Sequence, residues 1–322
     1  MTDPARPGPR GALLALCAFA LFASHDAVIK ALGGYYAPFQ IMFFSVLFSF
    51  PLATLLLMRD PTPGHLRPVH PWWTALRTLA AVVTGISAFT AFSLLPLAQV
   101  YAFLFATPLL ITLLSIPLLG ERVGLHRGGA VLAGLVGVLV VLRPGSEALS
   151  LGHIAAMTSA VGSATASTIV RKIGRDERPL VLMLYPMVTN VVVMGALLPF
   201  VYRPMPIEHI GLLGLVSVFG FCAGLLVIAA YRAAPAALVA PMQYSQILWA
   251  ALFGALFFGE RPDWPTWIGV TIIVASGLYI LLRESGAGRS LHRPVLGTRT
   301  RFELGLMPRI GVLVDRRRRS RD

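Results

Sequence analysis

The chain has 322 residues, of which 56% are hydrophobic and 13% charged, and its mean hydropathy is +0.75. So few polar groups do not cover a soluble fold of this length, which excludes a large soluble domain and reads as a membrane protein. The net charge of +13 is not a nucleic-acid-binding face either, because the residues from Arg283 onward hold 11 arginines against 4 acidic groups and carry more than half of the excess.

In chain order, residues 1–10 form a polar start with Arg6 and Arg10, and a run of apolar segments follows. Segments approaching the ~20 residues that cross a bilayer lie at 11–33, 38–58, about 74–95, 98–119, about 128–142, 152–170, 180–201, 209–231, 236–258 and 266–282. The first has the length of a leader or of a span. Residues 151–173 repeat its outline, with Val28-Ile29-Lys30 answering Ile169-Val170-Arg171, and an internal copy is not a leader, so 11–33 is expected to be retained. Trp72 and Trp73 fall where an interfacial aromatic belt is expected, and Gly129, Gly134 and Gly137 in the fifth segment favour close helix packing. Residues 284–322 have no periodicity and read as a disordered cytosolic extension drawn to anionic lipid head groups. Cys17 and Cys222 both lie in apolar segments, where a disulfide framework is not expected.

The chain repeats itself. Residues 91–122 match 230–261 without a gap, 139 positions on, at Ala91/Ala230, Pro96/Pro235, Ala98/Ala237, Val100/Val239, Leu109/Leu248, Leu113/Leu252 and the closing Gly-Glu-Arg of Gly120–Arg122 and Gly259–Arg261. One inserted residue later, Gly269 answers Gly129 and Gly277 answers Gly137. The expected organisation is therefore two related five-helix halves, 11–143 and 151–283. Arginine and lysine gather in the connections that share a side with both termini, which places the termini in the cytosol. An odd number of helices per half then brings the second copy in from the opposite side. The fold class is all-α: a polytopic membrane protein of ten transmembrane helices in two inverted five-helix repeats.

No HExxH, GxxxxGK[ST] or GxSxG pattern is present, so neither an enzyme nor a bound metal or cofactor is expected. The candidates are polar groups inside apolar helices. Asp26 and Lys30, four apart, share a helical face where they could pair; a carboxylate in lipid is costly enough to suggest coupling, while an ion pair that seats the helix is the plainer alternative. His25 beside them suits a proton step or a structural hydrogen bond. Arg77 and Arg232 stand near the cytosolic mouth of the third and eighth segments, as interfacial anchors or as ligands for an anionic group. The densest polar cluster, Pro241 to Trp249, lies inside the ninth segment, where Pro241 frees the carbonyl of Ala237 beside Gln243, Tyr244 and Gln246. In the fourth, Pro108 frees the carbonyl of Leu104 beside Tyr101 and Phe105. Two broken helices at corresponding points of inverted halves mark a substrate cavity, against the alternative of helices packed through amide hydrogen bonds. If the ninth segment is α-helical, Gln243, Gln246 and Trp249 form its cavity face and Tyr244 reaches it from the flank. The four-residue spacings of Ala155, Ser159, Ser163 and Ser167, and of Gly220 and Gly224, read as packing faces.

These features resemble the EamA branch of the drug/metabolite transporter superfamily: the helix count, the Leu-Pro-Leu-Ala-Gln segment at 95–99, Arg77 opening the third helix, and Gly-Glu-Arg closing the fourth and ninth. The resemblance spans about residues 11–283 and leaves the tail outside it. It implies a multi-pass transporter of the bacterial cytoplasmic membrane that works by alternating access without an ATP site. Members of the family move amino acids, toxic compounds, S-adenosylmethionine, riboflavin and sugar conjugates. The aromatic faces of Tyr101, Phe105, Tyr244 and Trp249 beside amides incline the expectation towards uptake of an aromatic polar metabolite such as riboflavin, with an exporter of amino acids or toxic compounds, or an S-adenosylmethionine transporter, as the alternative. A membrane scaffold or a lipid-modifying enzyme is the rival class, and a homodimer is left open.

Overall fold

The computed structural model describes residues 9–57, 66–121, 124–143, 149–174, 176–234 and 236–286. Of the basic tail, Glu284–Gly286 continue α12 and residues 287–322 lie outside the described residues, as do Arg6, Arg59, Arg122 and Arg175. Every regular element among the described residues is helical: α1 Pro9–Gly33, α2 Pro38–Leu57, α3 Pro71–Leu94, α4 Leu97–Leu104, α5 Thr107–Leu119, α6 Leu125–Leu142, α7 Leu151–Ile173, α8 Pro179–Val201, α9 Ile207–Ala233, α10 Ala236–Val239, a 3₁₀ segment Ala240–Ser245, α11 Gln246–Phe258 and α12 Trp264–Gly286. Among the described residues, five stretches are long and apolar enough to cross a membrane: Arg10–Gly33, Pro71–Leu94, Leu97–Leu119, Leu180–Val201 and Ile207–Ala233. Shorter apolar helices accompany them at Pro38–Thr54, Gly128–Leu142 and Trp264–Ile280.

Proline opens α1, α2, α3 and α8, a position where its missing N–H costs nothing because that donor has no partner inside the helix. The other end of the logic is the repeated Gly-Glu-Arg. Gly120 and Gly259 take left-handed backbone at φ 68° and 65°, a conformation that glycine adopts without strain. The chain then folds back so that the next amide recovers a carbonyl six residues earlier, Glu121 N to Ser115 O at 3.2 Å and Glu260 N to Gly254 O at 2.9 Å. Each motif thus stops its helix in the same way and leaves its glutamate side chain directed back into the bundle, where it meets the other half (below).

The halves interleave. α1 packs along α9 as α7 packs along α3; α11 lies against α1 as α5 lies against α7; α2 meets α9 as α8 meets α3; and α6 pairs with its counterpart α12. Contacts between halves therefore come in exchanged pairs, the arrangement expected of a chain built from two copies of one unit. In lipid, such helices gain little from burying apolar surface and hold together by close packing and hydrogen bonds. The α6–α12 crossing shows how: a Cβ added to Gly137 would stand 2.9 Å from the carbonyl oxygen of Gly269, and one added to Gly269 2.6 Å from that of Gly137. Gly134 is likewise closed in by Leu109 and Ser276, whereas Gly129 has nothing within 4 Å; the latter sits before the helices converge and does not share the packing role expected for it. On α7 the small residues Ala155, Ser159, Ser163 and Ser167 are all buried, and a Cβ on the adjacent Gly162 would strike Thr84 of α3.

Neither 98–119 nor 236–258 is one continuous helix. α4 and α5 are separated at Phe105–Ala106, just ahead of Pro108, and α10 gives way at Pro241 to the 3₁₀ segment before α11 begins. With the 139-residue offset, α5 and α11 start at equivalent positions, Thr107 and Gln246. The second break is longer.

Candidate functional site

The two breaks meet at the centre of the protein. Phe105 of the first and Tyr244 of the second are equivalent in the repeat, and their rings touch edge to face with centroids 5.1 Å apart. Tyr101, one turn before Phe105 on α4, extends the aromatic row, 5.8 Å from Phe105 and 5.8 Å from Phe92 of α3. All belong to the main buried cluster of the protein.

Polar groups from two other elements converge on the Tyr101 hydroxyl. It donates to Oδ2 of Asp26 on α1 and accepts from Nε2 of Gln246, the first residue of α11, at 3.2 Å. The other oxygen of Asp26, Oδ1, is 2.7 Å from Nδ1 of His25. Asp26 is 1% exposed and Gln246 0% exposed. A carboxylate so deep is tolerable only with donors around it, and His25 and Tyr101 supply two. Gln246 is only half satisfied, since its Oε1 is buried with no hydrogen-bond partner among the described residues. A buried acceptor left open in this way costs on the order of 1–3 kcal/mol unless a ligand or water meets it.

Lys30, expected to share a face with Asp26, lies one turn further along α1 and makes an ion pair with Glu260 at 2.7 Å while donating to the carbonyl of Leu95 at 2.6 Å. The second oxygen of Glu260 accepts from the backbone N of Leu97 at 2.9 Å, capping the start of α4. The other half carries the same device: Arg171, the counterpart of Lys30, forms an ion pair with Glu121 of the first Gly-Glu-Arg, and Lys172 donates to the carbonyl of Leu118 at 3.0 Å. Each half lends its cation to the glutamate of the other.

The 3₁₀ geometry changes the expected face of the ninth segment. At three residues per turn Gln243 and Gln246 eclipse, but the inner residues from Tyr244 onward are Tyr244, Gln246, Ile247 and Ala250. Gln243 is half-buried, and so is Trp249, which packs on Phe253 with ring centroids 6.2 Å apart. The stripe of Gln243, Gln246 and Trp249 assumed an unbroken α-helix, and the structure buries Tyr244 with Gln246 while Trp249 is only half-buried. Tyr244 is further fixed by α12, where a Cβ on Gly277 would collide with its hydroxyl.

Two expected site residues are not brought to this cluster. Arg77 is 3% exposed, and its guanidinium donates to the carbonyl of Leu182 on α8; Arg232 is exposed at the end of α9. Conversely, Asn190 of α8 is a buried polar group that the sequence patterns above do not single out. It is 0% exposed, and neither amide atom has a hydrogen-bond partner among the described residues. The signal was available, because a lone amide within an apolar helix is the same feature that singled out Gln243 and Gln246. The pairing of Glu260 with Lys30 was less accessible: the recurrence of Gly-Glu-Arg was visible, but which cation it meets depends on how the halves cross.

Comparison with known proteins places this geometry in context. Residues 9–143 and 150–282 each match the EamA-like transporter family. A riboflavin transporter of Rhizobium johnstonii is 28% identical over 243 residues, covering 75% of this chain and 78% of that protein. An S-adenosylmethionine uptake transporter of Rickettsia bellii is 25% identical over 267 residues, 82% of this chain and 91% of that one. A riboflavin transporter of Vibrio cholerae is 29% identical over 222 residues, 67% of this chain and 74% of that one. A solved crystal structure superposes with a TM-score of 0.57 at 20% identity, covering 86% of this chain and 99% of the other, a likeness of fold.

Proposed function

The chain belongs to the EamA-like transporter family, a multi-pass membrane transporter family, and we propose that it is a secondary transporter of the bacterial cytoplasmic membrane that takes up an aromatic, polar metabolite, riboflavin or a close relative of it. The carrying observation is the open Oε1 of Gln246 beside Tyr101 and Asp26, where the two helix breaks meet. A flat heteroaromatic ring fits against the faces of Tyr101, Phe105 and Tyr244, and its ring N–H meets the free amide oxygen. Gln243 and Trp249 flank the entrance, and the arginines Arg77 and Arg232 act at the cytosolic mouth.

In this reading residues 11–143 and 151–283 are inverted five-helix repeats of ten spans, with α4–α5 and α10–α11 each counting as one broken span and both termini in the cytosol. The Lys30–Glu260 and Arg171–Glu121 pairs then lie at opposite ends of the bundle and open in turn, which is alternating access. Asp26, with His25 beside it, carries the coupling proton, and Lys30 belongs to the outer closure. The tail from 284 to 322 associates with anionic lipid and takes no part in the transport step.

A second reading is favoured by one observation: a buried carboxylate among aromatic rings also suits a sulfonium cation, the charge that S-adenosylmethionine carries. Uptake of labelled riboflavin and labelled S-adenosylmethionine into proteoliposomes, each competed by the other, decides between them. Saturable riboflavin uptake that S-adenosylmethionine does not compete supports the first reading; the reverse pattern supports the second, and transport of neither overturns both.

A further inference from the structure

We infer that Tyr101 is the positioning residue that links proton to substrate: the protonation state of Asp26 sets, through the Tyr101 hydroxyl, which end of the Gln246 carboxamide is offered to the ligand. This rests on the proposed site and adds to it a mechanism of coupling.

The argument follows the direction of three hydrogen bonds. With Asp26 ionised, its two oxygens are acceptors only. Oδ1 is met by His25 Nδ1 at 2.7 Å, which makes that nitrogen the donor, and Oδ2 is met by the Tyr101 hydroxyl. The phenolic proton is thereby committed to Asp26, so the Tyr101 oxygen has only an acceptor left for Gln246. The amide must turn its Nε2 towards Tyr101, at 3.2 Å, and Oε1 is left facing away without a partner among the described residues. In this state the site presents an acceptor and takes a ligand N–H.

A proton that reaches Asp26 adds to Oδ2, because Oδ1 already holds the donor of His25. The new acid O–H donates to the Tyr101 oxygen. The phenolic proton, released from Asp26, needs an acceptor, and the amide of Gln246 supplies one by rotating half a turn to bring Oε1 to Tyr101. Nε2 then faces the ligand, and the site presents donors. One proton is gained, no covalent bond breaks elsewhere, and the polarity of the binding amide reverses. A ligand held by its N–H through Oε1 therefore loosens when Asp26 is protonated, and its binding favours deprotonation by the same factor, so a proton that reaches Asp26 after the ligand has bound promotes release on the cytosolic side, the sense that uptake requires.

Of the titratable groups that face Asp26, His25 is on its own helix, Tyr101 comes from α4, and the Lys30–Glu260 pair stands one turn along α1. Among the other elements packed on α1, the 3₁₀ segment directs Tyr244 at Phe105, and α3 directs Arg77 at Leu182. On α9, Tyr36 of the α1–α2 connection holds His209 at 2.7 Å, Glu208 and Arg232 are exposed, and Tyr231 packs with the N-terminal part of α1 around Phe19. α2 contributes no charged group among its described side chains.

The test is infrared difference spectroscopy of the full-length protein in lipid across a pH series, without ligand. The carboxylic acid band of Asp26 is assigned by its loss in Asp26→Asn, and the side-chain amide band of Gln246 by its loss in Gln246→Leu. In the wild type both bands are expected to shift with one midpoint; in Tyr101→Phe, which keeps the ring and loses the hydroxyl, the carboxyl still titrates while the amide band stays still. An amide band that is silent in the wild type, one that still moves in Tyr101→Phe, or the absence of any acid band because His25 takes the proton, each overturns the inference. Riboflavin binding, read by quenching of its fluorescence, then tests the link to substrate: the wild type should lose roughly five- to tenfold in affinity on acidification through that midpoint, the worth of about one hydrogen bond, and Tyr101→Phe less than twofold. If the bands behave as expected but riboflavin does not bind, the substrate assignment fails and the relay stands.

Discussion

Phe105 and Tyr244 stand at the same position of the two repeats and touch each other, edge to face, with ring centroids 5.1 Å apart. The line that relates the halves therefore passes between them, and what differs around it defines the site. Tyr101 is answered by Ala240, Asp26 by Ser167 and Gln246 by Thr107. One half contributes the carboxylate and phenol, the other the amide. Duplication supplied a symmetric frame with two broken helices, and the polar groups proposed to recognise a ligand sit on it asymmetrically.

The contact itself is testable. Edge-to-face pairs contribute about 0.5–1.5 kcal/mol beyond the area they bury. Phe105→Leu should therefore lower the melting temperature in detergent by a few degrees and weaken riboflavin binding, while Tyr244→Phe, which keeps both rings, should change stability little. Equal losses in the two variants would mean that the Tyr244 hydroxyl, not the ring pair, carries the contact.

Much of this frame is legible in the sequence, because it rests on local rules. Proline at helix starts, glycine at the left-handed stops and small residues at four-residue spacing identify the helices and their packing faces without reference to the rest of the chain. The breaks are legible from Pro108 and Pro241. Their geometry is not: the 3₁₀ segment Ala240–Ser245 depends on how Tyr244 is wedged against Phe105 and Gly277, which only the assembled bundle fixes. The same holds for partners. Asp26, Tyr101 and Gln246 each stand out as polar groups in apolar helices, but nothing local says that they join one another across α1, α4 and α11.

The clasp between α6 and α12 should depend on pH. Asp263 begins α12, accepting from Thr266 N at 3.2 Å and Thr266 Oγ1 at 2.6 Å, and pairs with Arg143 at the end of α6. Partial burial raises its carboxyl, but the hydrogen bonds from Thr266 and Arg143 and the charge of Arg143 outweigh that and hold it below the ordinary carboxylate range. A carboxyl depressed on folding contributes stability above its unfolded value, about 3.9, and loses it as pH falls through the lower folded value. Between about pH 5 and pH 3 the wild type should lose more melting temperature than Asp263→Asn, which keeps the cap without the charge. Parallel curves would show that the clasp is too solvated to matter.

Inverted topology makes a direct prediction. Single cysteines in the 59–71 connection and at Pro262, placed in a background with Cys17 and Cys222 replaced by alanine, should react with an impermeant thiol reagent from opposite sides of the membrane. Reaction of both from one side would mean that the repeats run in parallel and that the two ion-pair clusters share an end.

The exchanged ion pairs supply the last prediction. Lys30 of the first half holds Glu260 of the second at 2.7 Å, and Arg171 of the second holds Glu121 of the first. Glu260 does more than balance a charge, since its other oxygen caps α4 at Leu97 while Lys30 takes the carbonyl of Leu95. The cluster thus ties together the ends of α1, α3 and α11 and the start of α4, the helix that carries Tyr101. Glu260→Gln keeps a hydrogen-bonding side chain but removes the charge, so this end should open more often and a reporter cysteine near the mouth at Pro262 should label faster from the outside. Glu121→Gln should do the opposite, speeding labelling from the cytosolic side. Each variant biases the protein towards one state and should slow net uptake while leaving equilibrium binding of substrate within about threefold, because neither glutamate belongs to the cluster around Tyr101. The charge-swapped double variant Lys30→Glu/Glu260→Lys tests whether attraction alone suffices. It restores the pair but not the cap, since lysine cannot accept from Leu97 N, so labelling should return towards the wild-type rate while uptake recovers only in part. Identical labelling on both sides in Glu260→Gln and Glu121→Gln would mean that the pairs fasten the helices without gating them.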